Sequence, residues 1–214
     1  MPLTVLAVAA FVAAVAAATL TIDRIRDHHP GERSAEAGFA RDMAVHHAQA
    51  VEMAELVRDR TDNPAVRTLA VDITLTQQAQ IGRMQGWLDS WGLPMSGGRP
   101  PMAWMGMPTD GPMPGMATRQ QLNELADLAG PAADRRFLQL MIDHHRAGVA
   151  MAEAVLEHTR RPEVRRLAKA MVASQTSEIA AMQDLLDATP GAGESQSGER
   201  RNRNTTSHKM KGHQ

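Results

Sequence analysis

The sequence predicts an all-α protein in which two repeated helix hairpins form a four-helix bundle. Composition is the first observation behind this prediction. Hydrophobic residues make up 43% of the chain but aromatic residues only 3%, and a core built mainly from Ala, Leu, Val and Met favours helices over strands. The second observation is an internal repeat: residues 39–89 align with 137–187 at a constant offset, with 21 identities in 51 positions. A segment that recurs in this way is one structural unit used twice.

The N-terminal residues 1–22 are apolar apart from a few threonines, and about 20 such residues can span a bilayer as a helix. A secretory signal peptide is the competing interpretation, because Ala16 and Ala18 place small residues at a possible cleavage point. Arg24 and Arg26 follow directly, and the positive-inside rule then argues for a cytoplasmic body. On balance we expect a signal anchor or signal peptide and an extracytoplasmic body.

Each repeat predicts two helices. Apolar residues recur at alternating spacings of four and three, which is the pattern of a helix with one buried stripe. Asn63-Pro64 interrupts the first repeat and Arg161-Pro162 the second, because the residue before a proline avoids the α region. Short breaks of this kind make antiparallel neighbours, so we expect residues 35–189 to form the duplicated bundle. The stripe of the first helix contains Phe39, Met43, His46, Ala50, Met53 and Val57.

A linker at residues 93–117 joins the repeats and is rich in Pro, Gly and Met. Two interpretations of its methionines stay open: they capture or pass on a soft ion, or they pack on the bundle as an apolar flap. After the linker, Thr118 and Gln121 predict a capping box that opens a short helix ending near Ala129. The polar tail at 190–214 is expected to be disordered. The linker methionines are Met95, Met102, Met105, Met107, Met113 and Met116.

Both repeats carry a Met-x-x-His-His motif on the inward face of the first helix. Buried histidine is costly without a partner, and imidazole combined with thioether is a soft donor set that suits Cu(I), while imidazole also accepts Cu(II). One inward His is usually a hydrogen-bonded core residue, and one Met stripe is usually core, but two tandem pairs favour a metal site. The candidate ligands are His46, His47, His144, His145, Met43, Met53, Met141 and Met151.

Several other classes of site lack support in the sequence. The chain has no Cys, which excludes disulfides, thiolate metal sites and Cys nucleophiles. Its net charge of −1 gives no reason to expect a nucleic acid partner. A di-iron or di-manganese centre needs Glu-x-x-His on two helices, and the repeated helices carry none. Asp42 and Asp143 lie near the His pairs, but at positions that are not equivalent.

The two motifs resemble a known family. Phe39-x3-Met43-x2-His46-His47 is similar to the signature of the exported bacterial proteins catalogued as domain of unknown function 305, and Phe137-x3-Met141-x2-His144-His145 repeats it. The resemblance covers about residues 35–188. It implies a ferritin-like four-helix bundle that is often exported, with some members associated with copper binding or copper tolerance. Many members carry Ile after the Met and Pro before the His pair. The first repeat has Ala44 and Val45 there and the second has Ile142 and Asp143, which leaves open whether the two copies bind metal equally.

The sequence therefore predicts a non-enzymatic extracytoplasmic protein, secreted or anchored in the membrane by its N-terminal segment, that binds copper for sequestration or tolerance. Its partners would be the metal ion and the membrane, without nucleic acid, and a homo-oligomer stays open. One alternative is a structural or signalling bundle without metal. A less favoured alternative is a metal-dependent redox enzyme. In the structural alternative the His pairs would hydrogen-bond the facing polar residues Gln77, Gln80, Gln175 and Glu178.

Overall fold

The computed structural model describes residue 8, residues 10–18 and residues 29–190. Within these ranges the regular elements are α-helices and one 3-10 turn, and there is no strand. The all-α class is confirmed. None of the described helices is long and apolar enough to cross a membrane. The signal prediction for 1–22 and the disorder prediction for 190–214 fall mostly outside the described residues. The helices from residue 35 onward are α1 (Ala35–Arg58), α2 (Pro64–Ser90), a short 3-10 turn (Ala103–Met105), α3 (Arg119–Asp127), α4 (Gly130–His158) and α5 (Pro162–Ala188).

Helix ends lie where the punctuating residues predict them. Pro64 and Pro162 begin the second helix of each hairpin, where a missing N–H and a fixed φ cost nothing. The C-terminus of α2 forms a Schellman motif. Gly92 has φ +67°, its N–H donates to the carbonyl of Asp89 at 2.9 Å, and the N–H of Leu93 donates to the carbonyl of Leu88 at 2.8 Å.

The short helix α3 begins with the predicted capping box. The Thr118 hydroxyl accepts from the N–H of Gln121 at 3.2 Å, and the Gln121 side chain accepts from the N–H of Thr118 at 2.8 Å. Two of the N–H groups that a helix start leaves unpaired are thereby satisfied. Gly130, with φ +56°, then turns the chain directly into α4.

The four long helices form two hairpins that meet through their first helices. Helix α1 packs on α2, and α4 packs on α5, while α1 and α4 join the hairpins and α2 barely touches α5. Helices α1 and α4 run antiparallel. The Thr159 hydroxyl donates to the Glu36 carboxylate at 2.6 Å at one end, and the N–H of Gly130 donates to the carbonyl of Arg60 at 2.8 Å at the other. This arrangement is compatible with the predicted four-helix bundle.

Two apolar clusters fill the interior. We call them the Phe39 cluster and the Phe137 cluster after their largest side chains, both of which are fully buried. The Phe39 cluster includes Phe39, Met43, Met84, Leu88, Met102, Met113, Met151, Val155, Val164 and Met171. The Phe137 cluster includes Ala50, Met53, Val57, Val66, Ile73, Leu122, Leu125, Phe137, Leu138, Met141 and Met182. Along α1 the two clusters are separated at the His pair, so a polar layer divides the core.

Parts of the linker pack on α1 and on the Phe39 cluster, although most of its residues are exposed. The Asp42 carboxylate accepts from the N–H of Met102 at 2.7 Å and from the indole N–H of Trp104 at 2.8 Å. Gly38 lets the Trp104 ring lie on the helix, because a Cβ there would meet its Cδ1 at 2.5 Å. Of the six linker methionines, Met102 and Met113 are buried in the Phe39 cluster, Met105 and Met116 pack against it, and Met95 and Met107 are about half exposed.

Candidate metal centre

His46 and His144 meet at the middle of the contact between α1 and α4. Their rings stack with centroids 3.7 Å apart and planes inclined by 29°. Nε2 of His144 lies 2.9 Å from the carbonyl oxygen of His46. The two residues occupy the same position in the two repeats, so the local two-fold relation between the hairpins passes between these rings. Two antiparallel helices that present the same residue at their crossing point bring the two copies together.

His47 and His145 flank that pair, and each is held by the second helix of its own hairpin. Nε2 of His47 lies 2.6 Å from Oε1 of Gln80, and Nε2 of His145 lies 2.7 Å from Oε2 of Glu178. Both contacts span 33 residues, as the duplication requires. The partners differ in charge, because the first repeat supplies an amide and the second a carboxylate. We call the four rings, with Gln77, Gln80, Gln175 and Glu178, the histidine layer.

The histidine layer contains several buried polar atoms that lack a hydrogen-bond partner. All four imidazoles are at most 1% exposed. Buried groups are paired in the great majority of cases, because an unpaired one costs about 1–3 kcal/mol. Those of the unpaired atoms that are imidazole lone pairs are available to a bound metal ion. The unpaired atoms in the layer are both ring nitrogens of His46, Nδ1 of His47, Nδ1 of His145, both amide atoms of Gln77 and Oε1 of Gln175.

Burial keeps three of the four rings neutral. It lowers the pKa of His46 to about 4, an effect that the nearby backbone of Pro114 opposes in part. Burial, together with the charge of His46, lowers the pKa of His47 to about 3. The same two causes hold the pKa of His144 well below its usual range. A neutral imidazole offers a nitrogen lone pair, which is the form that binds metal ions.

The predicted methionine ligands lie above and below the histidine layer. Met43 and Met141 precede the His pairs by one helical turn, and Met53 and Met151 follow them by two turns, at most 1% exposed in every case. Because the helices are antiparallel, Met43 and Met151 share the Phe39 cluster, and Met53 and Met141 share the Phe137 cluster. Each face of the layer therefore has thioethers from both repeats. The donor set of imidazole nitrogen and thioether sulfur fits a soft ion.

The histidine layer contains one carboxylate, that of Glu178. In the part of the chain that the structure describes, no three His, Asp or Glu side chains converge as a metal-binding group, and this includes the four histidines of the layer. Asp42 is committed to the linker, and Asp143 is exposed and paired with Arg146 at 3.1 Å. Neither of these two carboxylates is therefore placed as a ligand in the layer. The arrangement fits a soft ion held by few ligands better than a hard ion that needs many oxygens.

The linker covers the layer at Pro114 and Gly115. Gly115 has φ +75°, and a Cβ there would lie 2.7 Å from the Asp143 carbonyl oxygen and 3.2 Å from Cα of His144, so glycine lets the chain cross α4 directly above the histidine. Gln49 fastens the next residues. Its amide donates to the carbonyl of Ala117 at 2.9 Å and accepts from the N–H of Ala117 at 2.6 Å.

Sequence reasoning missed the two side chains that hold this linker. Asp42 was considered only as a possible metal ligand, and Gln49 was not singled out. The alignment of the two repeats contained a signal for both residues. Asp42 aligns with Leu140 and Gln49 with Ala147, so each polar residue has an apolar equivalent in the second repeat. A polar residue that the duplicate lacks indicates a contact that only one hairpin makes.

A comparison with protein families matches residues 36–186 to the model described as domain of unknown function (DUF305), which confirms the resemblance drawn from the two motifs. No curated protein matches the chain. Among solved structures, a DUF305 protein from Streptomyces coelicolor, described provisionally as secreted, is 53% identical with a TM-score of 0.71, over 74% of this chain and 96% of that one. A DUF305 fragment from Deinococcus radiodurans is 37% identical with a TM-score of 0.62, over 72% and 95%.

A third similar structure carries information about an ion. CopM in its Cu(I)-bound form is 28% identical with a TM-score of 0.55, over 73% of this chain and 98% of that one. The same protein has been solved in Cu(II)-bound and Ag-bound forms. This chain is therefore similar to a protein that has been solved with copper and with silver.

Proposed function

We propose that this chain, which belongs to the family described as domain of unknown function (DUF305), is an extracytoplasmic protein that binds copper ions for sequestration or tolerance. The observation that carries the proposal is the histidine layer, in which buried, neutral imidazoles keep unpaired nitrogens between two clusters that contain methionine. The proposed ligands are drawn from His46, His47, His144, His145, Met43, Met53, Met141 and Met151.

The chemistry of the donor set supports Cu(I) as the cargo. Thioethers bind soft ions well and hard ions poorly, and imidazole adds a borderline donor that also accepts Cu(II). The copper-bound and silver-bound forms of CopM, at 28% identity, agree with the same class of ion. The histidine layer has no counterpart of the oxygen-rich shells that Ca²⁺ and Mg²⁺ prefer.

The extracytoplasmic location is part of the proposal. It is supported by the apolar run at 1–22 and by the Streptomyces coelicolor protein, described provisionally as secreted, to which the chain is 53% identical. The chain would be secreted or held at the membrane by its N-terminal segment. Self-association is a further proposal, for which measurement of the mass in solution is the direct test.

We propose binding without turnover. A redox reaction on peroxide or on a second metal ion requires a path from solvent to the bound copper. The eight proposed ligands are at most 1% exposed, and the linker crosses above His144. Such burial suits retention of an ion, because dissociation then requires the linker to move.

The test is a Cu(I) titration of the full chain against a competing chelator. We expect tight binding that the variant with His46, His47, His144 and His145 replaced by Ala loses. His158→Ala is the matched control, because His158 is an exposed histidine in the last turn of α4 and its loss should leave the affinity unchanged. An absence of Cu(I) binding by the wild type, or equal binding by the fourfold variant, would overturn the proposal.

One observation favours a second candidate, a structural bundle without metal. The His47–Gln80 and His145–Glu178 contacts, at 2.6 and 2.7 Å, are the partnership that such a network predicts. His46→Gln with His144→Gln separates the candidates. A copper protein should lose affinity and keep its fold, whereas a structural network should lose mainly thermal stability with no affinity to lose.

A further inference from the structure

We infer that the two halves of the histidine layer are unequal ion sites, and that the half formed by His145 and Glu178 takes the first Cu(I). The inference rests on the proposed function and deepens it, because it assigns an order of loading and a positioning residue. Three features of the layer support the inference. They are the ring nitrogen that is free to bind an ion, the strength with which the partner side chain fixes the tautomer of that ring, and the position of the negative charge.

The free nitrogen of His145 is determined by its partner. Oε2 of Glu178 lies 2.7 Å from Nε2 of His145, and an ionised carboxylate only accepts hydrogen bonds. In the form of the ring that binds a metal ion, which has one N–H and one lone pair, this contact places the proton on Nε2 and the lone pair on Nδ1. That Nδ1 atom is buried and has no partner, so an ion can attach there without displacing another contact.

The first repeat holds its ring less firmly. Gln80 occupies the position equivalent to Glu178, and its Oε1 faces Nε2 of His47 at 2.6 Å. An amide offers an acceptor at one end and a donor at the other. A half-turn of the amide would pair with the opposite tautomer of His47 and hide the lone pair that an ion needs. Gln80 thus permits the ligand tautomer, whereas Glu178 imposes it.

Charge acts in the same direction. Imidazole, thioether and amide are all neutral, and a cation taken from water into a neutral, buried layer suffers a large desolvation penalty unless a negative charge lies close by. Within the described residues, Glu178 is the carboxylate that hydrogen-bonds one of the four rings. Its side chain is 24% exposed, so solvent screens part of its charge. The carboxylate behind a ligating imidazole also strengthens that nitrogen as a donor.

The first test is a Cu(I) titration of the full chain carrying exchanged partners. Glu178→Gln converts the second half into a copy of the first, and Gln80→Glu does the reverse. We expect Glu178→Gln to weaken the first equivalent of Cu(I) by about 10- to 100-fold. Gln80→Glu should strengthen the second equivalent. His145→Ala should lose the tightest site, and His47→Ala should keep it.

The outcomes separate this inference from the proposed function. If the wild type binds no Cu(I), the proposed function fails. If it binds and Glu178→Gln retains the first equivalent within about twofold, or if His47→Ala and not His145→Ala abolishes that site, the inference of unequal halves is overturned. Should Glu178→Gln fail to fold, Gln80→Glu decides alone, because an unchanged second equivalent there contradicts the role given to the carboxylate.

A second readout needs no metal. Long-range proton–nitrogen NMR of the metal-free chain reports which nitrogen of each ring carries the proton. We expect His145 to hold its proton on Nε2 in the wild type and to lose that single preference in Glu178→Gln. A proton on Nδ1 of His145 in the wild type would overturn the inference whatever the copper titration shows, because that nitrogen is the proposed ligand atom.

Discussion

The two hairpins agree at the histidine layer and differ beneath the linker. Asp42 and Gln49 form hydrogen bonds with the linker, whereas the equivalent residues of the second hairpin are apolar. Leu140 is buried in the Phe137 cluster, and Ala147 lies under the close approach of Gly115. One linker cannot contact two symmetric surfaces in the same way, so it is bound to the first hairpin by polar groups and lies in van der Waals contact with the second.

This difference shows which positions a duplicated scaffold must keep. The residues common to both repeats form the layer and the two clusters, where each hairpin faces the other. Among the residues that differ, Asp42 and Gln49 contact the linker, and Gln80 and Glu178 hold the outer rings of the layer. The following changes test the shared and the divergent positions in turn.

The largest effect is expected from acid, which should lower the free energy of unfolding through the buried histidines that both hairpins share. The folded pKa values of His46 and His47 lie near 4 and 3, below the value of about 6.5 expected in the unfolded chain. Below pH 6.5 the unfolded chain binds more protons, so stability is complete above pH 6.5 and falls as the pH is lowered toward 4. We expect His46 alone to account for roughly 3 kcal/mol, measured by urea unfolding of the metal-free protein.

A control identifies the source of that loss. His46→Gln should flatten the slope of stability against pH between 6.5 and 4 by about one proton, and His158→Gln, at an exposed position, should leave it unchanged. Equal slopes in the wild type and His46→Gln would contradict the contribution assigned to His46.

Removal of Asp42 should weaken the hydrogen bonds to the linker that the second hairpin lacks. Asp42→Ala leaves the N–H of Met102 and the indole of Trp104 without their acceptor, which should cost about 2 kcal/mol. Trp104 fluorescence should shift as the indole is released. Asp143→Ala is the matched control, because its pair with Arg146 is exposed and should cost no more than about 1 kcal/mol. Equal losses in the two variants would contradict the anchoring role.

The smallest effect is expected from an exchange of Ala50 and Gly148, which occupy equivalent positions in α1 and α4. Ala50→Gly should cost about 1 kcal/mol, because glycine is a poor helix former. Gly148→Ala should gain less than that amount, since the new Cβ would displace the amide of Gln175. Thermal unfolding of both variants measures the difference, and a full gain at Gly148 would mean that Gln175 moves without cost.

Much of the helical framework could be predicted because its signals are local and occur twice. The alternating spacings, the X-Pro breaks and the Thr118 capping box each act within a few residues. The structural alternative also anticipated the contacts of His47 with Gln80 and of His145 with Glu178, since helix periodicity places these side chains on facing stripes.

The stacking of His46 on His144 could not be predicted from the sequence, because it depends on the axial position at which α1 packs on α4. The path of the linker was missed for a different reason. Its conformation comes from single contacts with Asp42, Gln49 and Gly115 rather than from any repeating pattern, and irregular backbone carries no period that a sequence can display.

The way the hairpins meet also determines an order of folding. Nearly all packing of α2 is with α1, and nearly all packing of α5 is with α4, so each hairpin closes through contacts that are near in sequence and fast to form. The docking of α1 on α4 joins residues that are 98 apart in the sequence, and we expect it to follow the formation of both hairpins. The four rings come together only when the hairpins dock, as does the linker where it crosses α4, so we expect a newly made chain to acquire its proposed copper site late in folding.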